Sequence, residues 1–381
     1  MKKHATSGIL LSGLTLLAAG LSAGVSSAET VKIGFAAPLT GGIAHLGKDT
    51  ENGALLAVEE INAKGLVIGK TPVTLELDTE DDAADPRTAT QVAQKMVDDG
   101  VVAIVGHLNS GTSIPASKIY FDAGVAQISP GATNPAYTLQ GFRTAFRLVA
   151  TDAQQGPALA RYAVSHLKIR TVAIVDDSTA YGQGLANEFA KTASASGVNV
   201  LSRDASSDKA IDFRAILTKI KAENPDAIMY GGNDATGGPF AKQARQLGIK
   251  ARILAGDGLC TENLADVAGD STDNILCSTA GAALDKMPGG AQFSKSFEAR
   301  FHGPVLLDAP YAYDAVYIIV AAMQRTQSTA RNKILDAMPA TRYQGVTGET
   351  VFDAHGDQKH GVITLYEYKQ GKKQFLDSVT M

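Results

Sequence analysis

The chain is poor in the motifs that mark most nucleotide-using and hydrolytic enzymes. No GxGxxG follows a strand-like segment: Gly182-Gln183-Gly184 and Gly256-Asp257-Gly258 both lack the third glycine, so no dinucleotide-binding turn is indicated. A phosphate loop of the form GxxxxGK followed by Ser or Thr is missing, and so is a GxSxG nucleophile elbow. His107 lies three residues before Ser110, but side chains at that spacing across a strand end point apart, and without an elbow no catalytic pair is expected. Asp353, His355 and Asp357 alternate like the start of a calcium loop, yet Gln358 stands where that loop needs glycine and Thr364 where it needs glutamate. A polar turn is expected there.

Positive charge and cysteine are also scarce. The 35 Lys and Arg face 39 Asp and Glu, which argues against nucleic acid as a partner, because phosphate binding needs a basic surface. There are two cysteines, Cys260 and Cys277. They read either as a disulfide or as two isolated buried thiols, and neither belongs to the CxxC or CxxH pair that a structural zinc site needs. No cofactor and no metal are implied, and the expectation is a protein that is not an enzyme.

Long apolar runs are missing too. Residues 9–19 form the apolar stretch nearest the start, between Lys2-Lys3 and the small residues Ser26-Ser27-Ala28. That order is the signature of a secretory signal peptide cut after Ala28. The alternative, a membrane anchor, suits it poorly, since a span needs roughly 20 apolar residues. No cysteine precedes Cys260, so no lipid-attachment cysteine follows the signal. A soluble periplasmic product is expected. Removing residues 1–28 takes away two lysines and no acid, leaving a net charge of −6, ordinary for a soluble protein.

What remains is too long for one ordinary core and suggests two lobes. Strand-like and helix-like segments alternate: strands near 31–35, 73–77, 101–105 and 125–128, helices over 50–64, 87–97 and 117–121. The cycle restarts after about residue 150, with strands at 171–175, 198–201, 227–230 and 252–254 and helices at 155–167, 184–195, 213–223 and 240–247. This rhythm specifies α/β lobes with parallel sheets and right-handed crossovers. Apolar helices follow at 311–323 and 332–338, and a hairpin is expected around Lys369-Gln370-Gly371-Lys372.

The strand-end loops are rich in glycine and hydroxyl residues. Asn109-Ser110-Gly111-Thr112-Ser113 follows one strand, and Ser129 to Pro135 follows the next. In open parallel sheets ligands bind beyond the carboxyl ends of strands. A helix start with Ser and Thr hydroxyls suits a carboxylate, although the same residues serve equally as ordinary helix caps. In the second series, Asp257 sits in a glycine-flanked turn. It reads either as a partner for an ammonium group or as a turn aspartate.

Taken with 33–42, 59–65, 81–86, 105–108, 181–184 and 230–232, these loops resemble the periplasmic leucine/isoleucine/valine-binding protein family, the type I solute-binding proteins of branched-chain amino acid ABC transporters. The resemblance implies the type I periplasmic binding protein fold: two doubly wound parallel-sheet lobes joined by three crossover strands, 29–148 plus 280–353 and 149–279 plus 354–381. It implies a ligand carboxylate held by Ser110, Thr133 and the backbone of Gly131 and Ala132, an ammonium held by Asp257, and Tyr181 in the pocket. Leu46 and Asn233 stand where the family has aromatic pocket residues, Asn109 and Ala84 where it has a disulfide, and Asp257 where leucine binders have glutamate. With His45 beside Leu46, these changes point to a pocket more polar than a leucine site. The implied partners are a small amino acid and an inner-membrane ABC permease complex, the protein itself acting as a monomer. The alternative is a sensor of the same fold that binds an amide- or urea-type compound and signals to a regulatory partner.

Overall fold

The computed structural model describes residues 1–4 and 28–381. The signal peptide expected over 1–28 falls almost entirely outside the described residues. Among the described residues, no helix is long and apolar enough to cross a membrane.

The first series is β1 (Glu29–Ala37), α1 (Ala44–Lys64), β2 (Leu66–Ile68), β3 (Thr71–Asp81), α2 (Pro86–Asp98), β4 (Ala103–Gly106), α3 (Ser110–Ala123), β5 (Ala126–Ser129), α4 (Ala136–Leu139) and β6 (Ala145–Arg147). Its strands form one sheet in the order β2-β3-β1-β4-β5-β6. The second series is α5 (Asp152–Ser165), β7 (Thr171–Asp176), α6 (Ala180–Ala195), β8 (Asn199–Ala205), α7 (Arg214–Glu223), β9 (Ala227–Gly231), α8 (Asp234–Gln246), β10 (Arg252–Ala255), α9 (Asn263–Ala268) and β11 (Ile275–Thr279). The chain then builds α10 (Gly290–Phe301), α11 (Ala309–Thr326), α12 (Arg331–Ala337) and the small hairpin β12 (Arg342–Gly345) and β13 (Gly348–Val351). It ends with β14 (Val362–Lys369) and β15 (Lys372–Thr380), which extend the second sheet to β15-β14-β11-β10-β9-β7-β8.

The inner strands of both sheets are parallel. β4 and β5 are buried along their whole length, as strands covered on both faces must be. Antiparallel pairs occur at one edge of each sheet: β2 runs antiparallel to β3, and β14 to both β11 and β15, the last pair being the hairpin expected around 369–372. The connections 69–70 and 370–371 are two-residue turns, and such a turn can join only antiparallel strands.

Local chemistry fixes the helix ends. Asp85 caps α2 by accepting the N–H groups of Arg87 and Thr88 at 2.9 and 2.8 Å, and Pro86 opens the helix. Thr151 and Gln154 form a capping box at the start of α5. The apolar stripe of α1 (Ala54, Ala57, Val58, Ile61) joins Val316, Ile319 and Met323 of α11 in the first core. Gly53 lets the two helices meet: a Cβ there would run into the Ala309 carbonyl. In the second lobe Phe213, Tyr230 and Phe240 fill one face of the sheet, and Leu159, Leu185 and Phe189 the other.

The chain passes between the sheets three times, through 148–151, 280–283 and 352–361. These passages lie side by side. The Ala150 N–H donates to Ala280 O at 2.9 Å, and the Arg147 N–H to Gly356 O at 2.9 Å. Every carboxyl-terminal strand end discussed below opens toward the gap between the sheets.

Candidate functional site

The first lobe contributes four segments to that gap. β4 runs into Leu108 and Asn109, and α3 begins at Ser110. β5 runs into 129–133. Ile43 and Leu46 come from the start of α1, and Leu307 and Asp308 precede α11. The second lobe contributes Tyr181 from α6, Asn233 at the start of α8, and Asp257 and Gly258 after β10. Together they enclose two small cavities of about 30 Å³ each, which share Gly131, Asp257, Leu307 and Asp308 and so form one site.

Leu46, Asn109, Ser110, Gly131, Tyr181, Asn233 and Asp257 line one cavity, and Gly131, Thr133 and Asp257 line the other. Ala132 is placed differently. Its N–H donates to Ser129 Oγ at 2.9 Å, and its carbonyl accepts from Arg147 at 2.8 Å, so both its backbone groups are used inside the first lobe.

The hydroxyls on the first-lobe side are poised to donate. Ser110 Oγ accepts the Asn134 N–H at 3.1 Å, which leaves its own proton free to point elsewhere. Thr133 Oγ1 is buried and unpaired; it faces Asp152 without a hydrogen bond of good geometry. With the open first turn of α3, these groups match a carboxylate.

The second-lobe side is acidic. The Tyr181 hydroxyl donates to Asp257 Oδ1 at 3.2 Å and accepts the Gly258 N–H at 2.9 Å. Burial pushes the Asp257 carboxyl up to about 6, against the pull of Gln155 and Tyr181. Asp152 lies deeper, with both carboxylate oxygens unpaired, and burial pushes it up to about 8. No Lys or Arg lines either cavity. Arg147, the large buried cation nearby, is used up on Asp357, Thr138 and the carbonyls of Ala132 and Asn134.

In addition to the Asp152 N–H, which donates to Thr133 O at 2.8 Å, two side-chain bonds cross the gap. His45 Nε2 of the first lobe meets Asp234 Oδ2 of the second at 2.9 Å, and the Asn134 amide donates to Ala180 O at 2.6 Å. Both tie the lobes together around the cavities.

Sequence reasoning missed Ile43, Leu108, Leu307, Asp308 and Gly258. Asp308-Ala309-Pro310 does carry a helix-start signal, a capping residue just before a proline. That signal places the helix end but not the direction of the carboxylate.

Other motifs resolve into structure. His107 Nδ1 pairs with Asp82 at 2.7 Å and its Nε2 with the Tyr120 hydroxyl at 3.1 Å, all three fully buried, so the imidazole is committed to the core rather than to Ser110. Asp353 accepts the N–H groups of His355 and Asp357, as a turn aspartate does. Cys260 and Cys277 form a disulfide that ties the turn after Asp257 to β11.

A family model described as periplasmic binding protein matches residues 30–373. The leucine-, isoleucine-, valine-, threonine- and alanine-binding protein of Pseudomonas aeruginosa is 33% identical over 350 residues, covering 92% of this chain and 93% of that protein. A Leu/Ile/Val-binding protein homolog of Brucella abortus is 34% identical, with 98% of both chains covered. Among solved structures, a leucine-binding protein of Thermotoga maritima superimposes with a TM-score of 0.85 at 28% identity, over 92% of this chain and 98% of that one. A branched-chain amino acid binding protein of Streptococcus pneumoniae in complex with isoleucine gives 0.84 at 28% identity, over 93% and 100%.

Proposed function

The chain belongs to the periplasmic binding protein family, and we propose that it captures an amino acid between its two lobes and hands it to an inner-membrane ABC permease complex. The observation that carries this reading is the opposition of two chemistries across one site made of two adjoining small cavities. Free hydroxyls at Ser110 and Thr133 face it from the first lobe; the Asp257 carboxylate, oriented by Tyr181, faces it from the second. A zwitterion satisfies both sides at once. Neither lobe alone holds both ends, so ligand binding and lobe closure are one event.

The lobes in this reading are 29–148 plus 280–353 and 149–279 plus 354–381, hinged at the three passages. Ser110, Thr133 and Gly131 take the carboxylate, and Asp257 takes the ammonium. Tyr181, Asn109, Asn233 and Leu46 shape the rest of the pocket. The protein acts as a soluble monomer, exported with cleavage after Ala28.

The experiment is a thermal-shift screen against the common amino acids followed by calorimetry, because a ligand that binds only the folded state stabilises it by RT ln(1 + [L]/Kd). At least one amino acid should raise the melting temperature in a concentration-dependent way. Silence across the whole set at millimolar ligand would refute the reading. Mass spectrometry of the secreted protein tests the cleavage site independently.

A further inference from the structure

Asp308 has no counterpart in the zwitterion scheme. It is 8% exposed, it lines both cavities, and it stands at the start of α11 without capping the helix through its side chain. Its carboxylate comes close to Gly131: a Cβ built there would lie 3.1 Å from Asp308 Oδ2. Among the described residues nothing donates a hydrogen bond to it, and the residues around the two cavities include no cation. Burial, then the charges of Asp257 and Asp49, push its carboxyl well above the ordinary range. A buried carboxylate without a partner is costly, so this one is waiting for something.

The count of charges identifies what. A neutral zwitterion brings one ammonium and one carboxylate. Asp257 takes the ammonium and the hydroxyls take the carboxylate; Asp308, which lines both cavities, and Asp152, which lines neither, are left without partners, and burial favours the neutral form of each. A second cationic nitrogen on the ligand gives Asp308 the donor it lacks and draws its carboxyl into the ionised form.

Building on the amino-acid reading above, we infer that the ligand carries a second cationic nitrogen and that Asp308 is the residue that receives it. The aliphatic contribution comes from Leu46, Leu108 and Leu307, which suit the short methylene chain between the two nitrogens. The ligand class is therefore the compact diamino acids rather than the branched aliphatic ones.

The test compares pairs matched in heavy atoms: α,γ-diaminobutyrate against norvaline, and ornithine against norleucine, each titrated calorimetrically into the full mature protein. The diamino acid of a pair should bind at least about tenfold more tightly, as a buried charge-assisted hydrogen bond requires. Asp308→Asn should erase that preference. If the aliphatic partner binds as well or better in both pairs, the role given to Asp308 is wrong, while amino-acid capture stands. If neither member of either pair binds and no other amino acid does, the amino-acid reading falls and this inference falls with it. The wild-type comparison decides the question even if the variant does not fold.

Discussion

The buried carboxylate of Asp49 in α1 accepts the N–H of Asp308, with Oδ2 at 3.1 Å, and so fixes the residue that enters the cavity from the start of α11. The same side chain accepts the N–H groups of Leu306, Leu307 and Ala309 at 2.9 to 3.1 Å. An α-helix start leaves such donors without partners, and here a residue some 260 positions away in sequence supplies them. Asp49 touches no ligand in the proposed scheme; it positions the two residues that do, Leu307 and Asp308.

Replacing Asp49 with alanine strands two buried N–H groups, those of Asp308 and Ala309, and two partly buried ones, those of Leu306 and Leu307. We expect a loss of about 3 kcal/mol in folding stability, read by urea denaturation, together with weaker ligand binding. Unchanged stability would mean that water replaces the carboxylate without penalty.

Asp257→Ala removes the proposed ammonium partner. Affinity should drop by about a hundredfold, or about 3 kcal/mol, measured calorimetrically with whichever amino acid the screen identifies. The unliganded protein should melt no lower than wild type, because an ionised Asp257 is itself unfavourable when buried.

Affinity should also depend on pH. The unliganded Asp257 carboxyl is pushed up to about 6 by burial, and an ammonium ion binds only the ionised form. Binding is therefore fully developed above about pH 6 and is lost as pH falls through it, by up to about tenfold per unit. Asp152, pushed up to about 8, adds to Asp257 through its charge, and Asp308 faces the same cavities. Their ionisation extends the rise toward higher pH for a cationic ligand. Calorimetry from about pH 5 to about pH 8 checks this, and Asp257→Asn should flatten the acid limb.

His45→Ala deletes one of the side-chain bonds that cross the gap. Asp234 keeps Thr261 and Asn263 as donors at 2.6 and 3.1 Å, so folding should be nearly unaffected. The closed form alone loses about 1 kcal/mol, which appears as a several-fold faster ligand release in stopped-flow measurements.

Removing the disulfide by Cys260→Ser with Cys277→Ser should lower stability by about 3 kcal/mol, the value for a loop of this length. Because Cys260 ends the turn that begins at Asp257, ligand affinity should fall as well. Equal affinity in the oxidised protein and the double variant would show that the turn holds its shape unaided.

Much of the fold is legible in the residues. Buried parallel strands announce themselves as short apolar runs, as at β4 and β5, and Asp85-Pro86 marks a helix start. The helices beside the site were harder to delimit. Apolar periodicity places α3 from 117, α6 from 184 and α8 from 240, whereas they begin at Ser110, Ala180 and Asp234. Their first turns are polar, small or glycine-rich, and Pro115 and Pro239 follow in the second turns of α3 and α8. Those turns face the gap between lobes rather than a core, so no hydrophobic stripe records them. Strands β6 and β11 and helix α10 left no usable periodic signal either.

The sequence by itself determined the alternation of strand and helix and the glycine- and hydroxyl-rich loops at the strand ends, because each is a local pattern with a local physical cause. Only the tertiary structure decided which of those loops meet. It brought Ser110 and Thr133 opposite Asp257, committed His107 to Asp82 and Tyr120, and turned the Asp308 carboxylate into the cavity by means of Asp49. Such pairings depend on contacts between residues tens to hundreds of positions apart, and nothing in the spacing along the chain encodes the direction in which a side chain finally points.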